Sequence, residues 1–255
     1  MIPWRSKFRA FAIHLALSAG LFAGVLALVV GLWYPPPLFW IDGGLQITLL
    51  AAGVDIVLGP LLTFIVYRPG KRTLVPDLAV IALIQAAALG WGVMTLHAER
   101  PVLAAFIGYP QNRFFAVTAK QLGEGPRPVE ALVALSPERL PLVFVELPTD
   151  VEAARRILML GLQGETSVLR QTERYRRIEG EALERVLAGS RRRELYVRDD
   201  PPFAEEIDRF VAAHGGRAED YAIIPLYGRF GRSLIALRRA DGRYAGVMAQ
   251  EIRLR

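Results

Sequence analysis

Asp55 is the residue whose position most demands a chemical reason. It is the eleventh residue of a 23-residue run, residues 45–67, that is otherwise uncharged. At mid-bilayer depth a carboxylate costs about 2.5–3.5 kcal/mol on insertion scales, and such residues face a helical bundle rather than lipid. At helical spacing Thr48, Ala51, Asp55, Gly59 and Thr63 share one face. The following apolar run offers Gln85, Ala88, Gly92 and Thr95 at similar spacing, and the preceding one Ala16, Gly20, Gly24, Ala27 and Gly31. Small residues let helices approach closely, and polar ones hydrogen-bond across the contact. Three readings of Asp55 follow. It locks a three-helix packing, protonated or hydrogen-bonded to Gln85 or a threonine. It meets a polar group on a partner's helix, with Asp55, Gln85, Thr48, Gly59 and Thr63 as the contact set. Or it conducts protons or ions, which ranks last because no second acidic residue lies at depth.

Elsewhere the chain is poor in catalytic patterns. Its three histidines, His14, His97 and His214, lie far apart without a spaced partner for a metal site, and cysteine is absent. No G-x-S-x-G, phosphate-binding loop or paired-carboxylate motif occurs. Arg191, Arg192 and Arg193 read as a solvated cluster after a helix or as a site for an acidic surface or phosphate. Asp42, before Gly43 and Gly44, reads as a turn residue, and Arg229 and Arg232 in "YGRFGR" as part of a hairpin turn. These patterns predict no enzyme, no metal and no cofactor.

The elements that must position Asp55 follow from hydrophobicity. Of 56 charged residues only Arg5, Lys7, Arg9, Asp42, Asp55, Arg68, Lys71, Arg72 and Asp77 precede His97. Residues 11–34, 45–67 and 78–96 are apolar runs, each close to or above the roughly 20 residues that a 30 Å hydrocarbon core requires. The length of the first, with no small-residue cleavage site after it, favours a retained anchor over a cleaved signal peptide. Basic residues precede the first run and fill the turn between the second and third, whereas "PPPLFWIDGG" has none. The positive-inside rule therefore predicts a cytoplasmic N-terminus (1–10), a three-helix membrane region (11–97) and an outer domain (98–255). Trp33, Tyr34 and Trp40 are expected at an interfacial aromatic belt on the outer side. The basic balance needs no nucleic-acid partner, since half of the net charge of +6 precedes His97.

The outer domain reads as α+β. "ERPVLAAFIGYP" and "NRFFAVTA" form two strands around a turn at Pro110–Asn112, and "LPLVFVEL" a buried strand. Thr149 and Glu152 make a capping box for the helix in "TDVEAARRILMLGLQ". "GEALERVLAGS" and "FAEEIDRFVAAH" supply two more helices, the latter opened by Asp200, Pro201 and Pro202 and closed by Gly215 and Gly216. "YAIIPLYGR", "SLIALRRAD" and "YAGVMAQEI" form a closing meander.

"WYPPPLFWIDGG", then "GVDIVLGPLLTFIVYRPGK", then "RPVLAAF", with the late "IIPLYGR", resemble the type IV pilin accessory proteins of the TfpX/TfpZ kind. The resemblance covers most of the chain and is strongest up to about Thr118, with the stretch around Asp55 and Pro60 its most specific part. Where the family favours Asp–Arg–Phe after the first outer strand, this chain has Asn112, Arg113 and Phe114. The resemblance implies a bacterial inner-membrane protein with a periplasmic domain. It implies a chaperone-like assistant to one type IV major pilin, with the lipid bilayer, and neither nucleic acid nor a small molecule, as its other partner. The small and polar helix faces would hold the pilin's helix, and edge strands would recognise its head by strand addition. A membrane-anchored sensor would need an effector on the inner side, and a membrane-bound enzyme a convergent catalytic group near the outer face.

Overall fold

A computed structural model describes residues 4–34, 36–123, 126–148, 150–162 and 168–252. The chain divides into two compact units, one of Met1–Tyr34 and Gly44–Ala98, the other of Pro35–Gly43 and Glu99–Arg255. The segment 35–43, between the first two long helices in the chain, thus belongs to the second unit. Three helices, Trp4–Trp33, Gly44–Val66 and Leu74–Ala98, are long and apolar enough to cross a membrane.

Along the chain, α1 (Trp4–Leu28) continues as a π-helical turn (Val29–Trp33), and α2 (Leu38–Ile41) is a single turn. The second long helix is built from α3 (Gly44–Ala52), a π-helical segment (Gly53–Leu58) and α4 (Gly59–Val66), and α5 (Leu74–Ala98) is the third. Leu17, Leu32, Leu50, Leu83, Trp91 and Met94 stand exposed on these helices. That is an arrangement water penalises and hydrocarbon accepts. Inside the unit, Phe64 of α4 packs against Phe8 of α1 with ring centroids 5.0 Å apart, and Trp4 and Phe11 flank the same ring. Tyr34 is buried, donating its hydroxyl to Leu96 O at 3.2 Å, and Trp33 meets the His97 ring edge-on. These contacts account for the burial of Tyr34.

In the second unit the strands are β1 (Pro101–Ile107), β2 (Arg113–Thr118), β3 (Leu142–Val145), β4 (Tyr175–Arg176), β5 (Tyr221–Tyr227), β6 (Gly231–Arg238) and β7 (Tyr244–Ile252). Between them lie α6 (Ala119–Gly123), α7 (Val129–Val133), α8 (Val151–Leu162), α9 (Gly180–Ala188), α10 (Arg193–Asp199) and α11 (Pro201–His214). One mixed sheet has the order β4-β3-β1-β2-β5-β6-β7. The β1–β2 hairpin and the β5–β6–β7 meander are antiparallel, and β1–β3 and β2–β5 pair in parallel. Period-two alternation sorts the core. Ala104, Phe106, Ala222, Ile224, Ile235 and Leu237 point to one face, where Leu38 and Ile41 of α2 and Val186 of α9 cover them. On the opposite face Leu103, Ala105 and Ile107 pack with Leu122 and Leu132, while Ile223, Leu234 and Ala236 pack with Phe203, Ile207 and Phe210 of α11. Burial on both faces is why these strands read as continuous apolar runs.

Local signals account for the element ends. Asn112 takes a left-handed conformation (φ 46°) in the β1–β2 turn, a role asparagine tolerates well. Asp150 caps α8, its Oδ2 accepting from the Ala153 amide at 2.7 Å; the expected capping residue Thr149 lies outside the described residues. Gly215 and Gly216, both at φ 78°, end α11. The arginine run follows α9, as expected, and its last member, Arg193, begins α10, a helix that the sequence pattern does not announce.

Candidate functional site

Asp55 lies within the π-helical segment, 6% exposed, in a unit where every long helix carries small or polar side chains. In that register the Gly59 amide bonds Val54 O, five residues back. The matching donor for Asp55 O would be the amide of residue 60, and residue 60 is proline, which has none. Gln85 of α5 supplies the missing donor, with Nε2 3.3 Å from Asp55 O. Gly59 makes room for it, because a Cβ there would land on the Gln85 amide. A proline, a glycine and a glutamine therefore form one interhelical joint around the Asp55 backbone. Among the described residues the Asp55 Oδ2, Gln85 Oε1 and Thr48 Oγ1 atoms are buried without a hydrogen-bond partner.

Two further polar contacts tie α1 to α4. Lys7 Nζ donates to Ile65 O at 3.1 Å, a cation on the C-terminal carbonyls of a helix, and His14 Nδ1 lies 2.6 Å from Thr63 Oγ1. The expected set Asp55, Gln85, Thr48, Gly59 and Thr63 is thus gathered inside the chain's own three-helix unit. Thr48, Gly59 and Thr63 are buried there, and Ala51 touches the Gly92 position across α3 and α5. The small face of α1 is disposed differently. Ala16, Gly20, Gly24, Ala27 and Gly31 are exposed, and a Cβ built on Gly20, Gly24 or Gly31 would meet nothing within 4 Å.

The second unit carries a charged clasp that sequence reasoning missed. Asp42, read as a turn residue, is 1% exposed. Its Oδ1 accepts from Arg229 N at 3.0 Å and Nε at 3.3 Å, and its carbonyl from Arg229 Nη2 at 2.7 Å. Arg229 Nη1 reaches Glu99 Oε2 at 2.8 Å, and Lys120 holds the other Glu99 oxygen at 3.0 Å. Beside the clasp Phe230 N donates to Ile41 O at 2.8 Å, and Gly228 admits that strand turn because a Cβ there would fall on the Ile41 carbonyl. Burial pushes the Asp42 carboxyl up to about 6 against the downward pull of Arg229, and nearby Glu99 adds to the rise. The clasped pair is 187 residues apart in sequence, so no local pattern announces it. Among the described residues no group of histidine, aspartate and glutamate side chains could hold a metal.

A hydrophobic three-helix unit followed by a mixed-sheet unit, with an intramembrane polar joint, defines a membrane protein built around helix packing. Residues 2–43 match the family model described as fimbrial assembly protein FimB. The chain is 36% identical over 96 residues to a fimbrial assembly protein of serogroups C1 and C2 from Dichelobacter nodosus, spanning 37% of this chain and 73% of that relative. It is also 36% and 35% identical over 96 residues to the serogroup I and serogroup E1 fimbrial assembly proteins of the same organism, where the match covers 37% of each relative. No solved structure matches the chain. The chain belongs to this fimbrial assembly protein family.

Proposed function

We propose that this chain is an inner-membrane assistant in type IV pilus assembly that holds one major pilin before or during its incorporation. The observation that carries the reading is the family match, whose relatives are named as fimbrial assembly proteins. The three membrane-length helices support it, because a pilin awaiting assembly presents a long apolar helix to the bilayer. The basic residues Arg5, Lys7, Arg9, Arg68, Lys71 and Arg72 support a cytoplasmic N-terminus and a periplasmic sheet unit.

In this account the client's helix lies along the open small face of α1, where Gly20 and Gly24 permit close backbone approach. The Asp55, Gln85, Thr48, Gly59 and Thr63 set acts from inside, fixing the bundle that presents the face. Its unpaired oxygens are the atoms a client's donor would meet if α5 gave way. Stabilisation needs no covalent chemistry, so the role is a non-enzymatic one. The test is the steady-state level and co-isolation of pilin with Gly20→Leu/Gly24→Leu and with Asp55→Asn, at matched levels of this protein. Loss of pilin with the first pair alone supports helix contact on α1, loss with Asp55→Asn alone moves the contact to the joint, and unchanged pilin in both refutes it.

A further inference from the structure

Ser190, Arg191, Arg192, Arg193 and Arg239 surround a cleft of about 600 Å³ on the second unit, between the end of α9, the start of α10 and the turn Ala218–Asp220. Its walls are held from behind: Arg191 N donates to Ile223 O and Arg239 N to Asp220 O, both at 2.9 Å. Two of the four arginines are committed. Arg191 pairs with Asp199 and lies 4.8 Å over the Tyr196 ring, and Arg193 grips Asp208 through both Nε and Nη2. Neither of those aspartates lines the cleft. Of the two acidic lining residues, Glu219 sits 3.6 Å from Arg217, and Glu194 is the other. Arg239 gives Nη2 to Ser190 Oγ at 2.7 Å and Nη1 to Leu187 O at 3.4 Å, both uncharged acceptors. Among the described residues neither Arg192 nor Arg239 has an acidic partner.

We propose that this cleft binds a carboxylate-bearing segment of a partner protein, with Arg192 and Arg239 gripping its oxyanion. A guanidinium presents a planar fork that matches a carboxylate, and Ser190 pre-orients that of Arg239. The volume far exceeds one small anion, and Leu187, Ala188, Ala218 and Tyr221 add apolar wall for the flanking chain. The inference stands apart from the pilus reading.

The test is a titration of the full chain in detergent micelles with a short peptide of alternating glutamate and leucine, its glutamine counterpart, inorganic phosphate and glycerol phosphate. The glutamate peptide is expected to bind saturably. Replacing its glutamates by glutamine, or changing Arg192→Ala, should each weaken binding by about tenfold or more, as loss of charge-assisted hydrogen bonds requires. Arg239→Lys, which keeps the charge and loses the fork, should weaken it too, while the equal-charge control Arg243→Ala leaves it unchanged. Among the described residues the Arg192 side chain makes no hydrogen bond or ion pair, and its backbone bond to Leu195 N survives substitution, so its variant reports on binding. No binding, equal loss with Arg243→Ala, or phosphate or glycerol phosphate binding as tightly as the peptide would overturn the proposal.

Discussion

Gln85 donates its side-chain amide to the main-chain carbonyl of Asp55, 3.3 Å away on the neighbouring long helix, where Pro60 deprives that carbonyl of a helical donor. A polar residue in a membrane helix thus repairs a backbone defect, and the defect travels with the proline. In hydrocarbon there is no water to make that repair instead.

Gln85→Leu leaves the Asp55 carbonyl without a donor and should cost about 1 kcal/mol, the scale of interhelical hydrogen bonds in membranes. Gly59→Ala displaces the Gln85 amide and removes the same bond. The double variant should therefore cost clearly less than the sum of the two, a non-additivity that unfolding in mixed micelles would measure. Additive costs would show that Gly59 and Gln85 act separately.

Pro60→Ala restores an amide at residue 60. The helix then has its own donor for the π segment, and Gln85→Leu in that background should cost less than it does alone. Thermal midpoints of the four proteins in one detergent decide this.

Arg229→Met strips the buried Asp42 of its cation and should cost on the order of 3 kcal/mol in the second unit at neutral pH. Exchange of the Phe230 amide, bonded to Ile41 O beside the clasp, reports the local opening. The defect should shrink in mild acid, where the unpaired carboxyl takes up a proton.

Asp42 also sets a pH dependence whose sign follows from its burial. Its carboxyl titrates at about 6 when folded against 3.8 otherwise, so the folded state binds the proton more tightly. Stability from this group is greatest below 3.8 and falls as pH rises through about 6, by roughly 3 kcal/mol. Asp42→Asn removes that slope while keeping shape. The difference in Phe230 amide protection between the wild-type protein and Asp42→Asn should follow this fall, and a difference flat with pH would refute the assignment.

Much of this architecture is legible in the residues, and the limits are physical. Long apolar runs announce the membrane helices because length and hydrophobicity are local quantities, as are the turn glycines that end α11 and the Asn112 turn of the first hairpin. The parallel pairings of β1 with β3 and β2 with β5 depend on distant partners and leave no local trace. Helical spacing gathers Asp55 with Thr48 and Gly59, all buried in the three-helix unit, but it does not announce the π segment, where the Asp55 carbonyl lacks a helical donor and takes one from Gln85. Asp42 reads as a turn residue because its arginine lies 187 positions away.

The most direct test of the central claim places photo-reactive residues at positions 20 and 24 on the open face of α1 and at 55 and 85 within the joint, in cells making the native pilin. The account predicts a pilin-sized adduct at 20 and 24 that antibody identifies as pilin, with 55 and 85 crosslinking only within the chain. Pilin adducts confined to 55 and 85, or absent from all four positions, would contradict it.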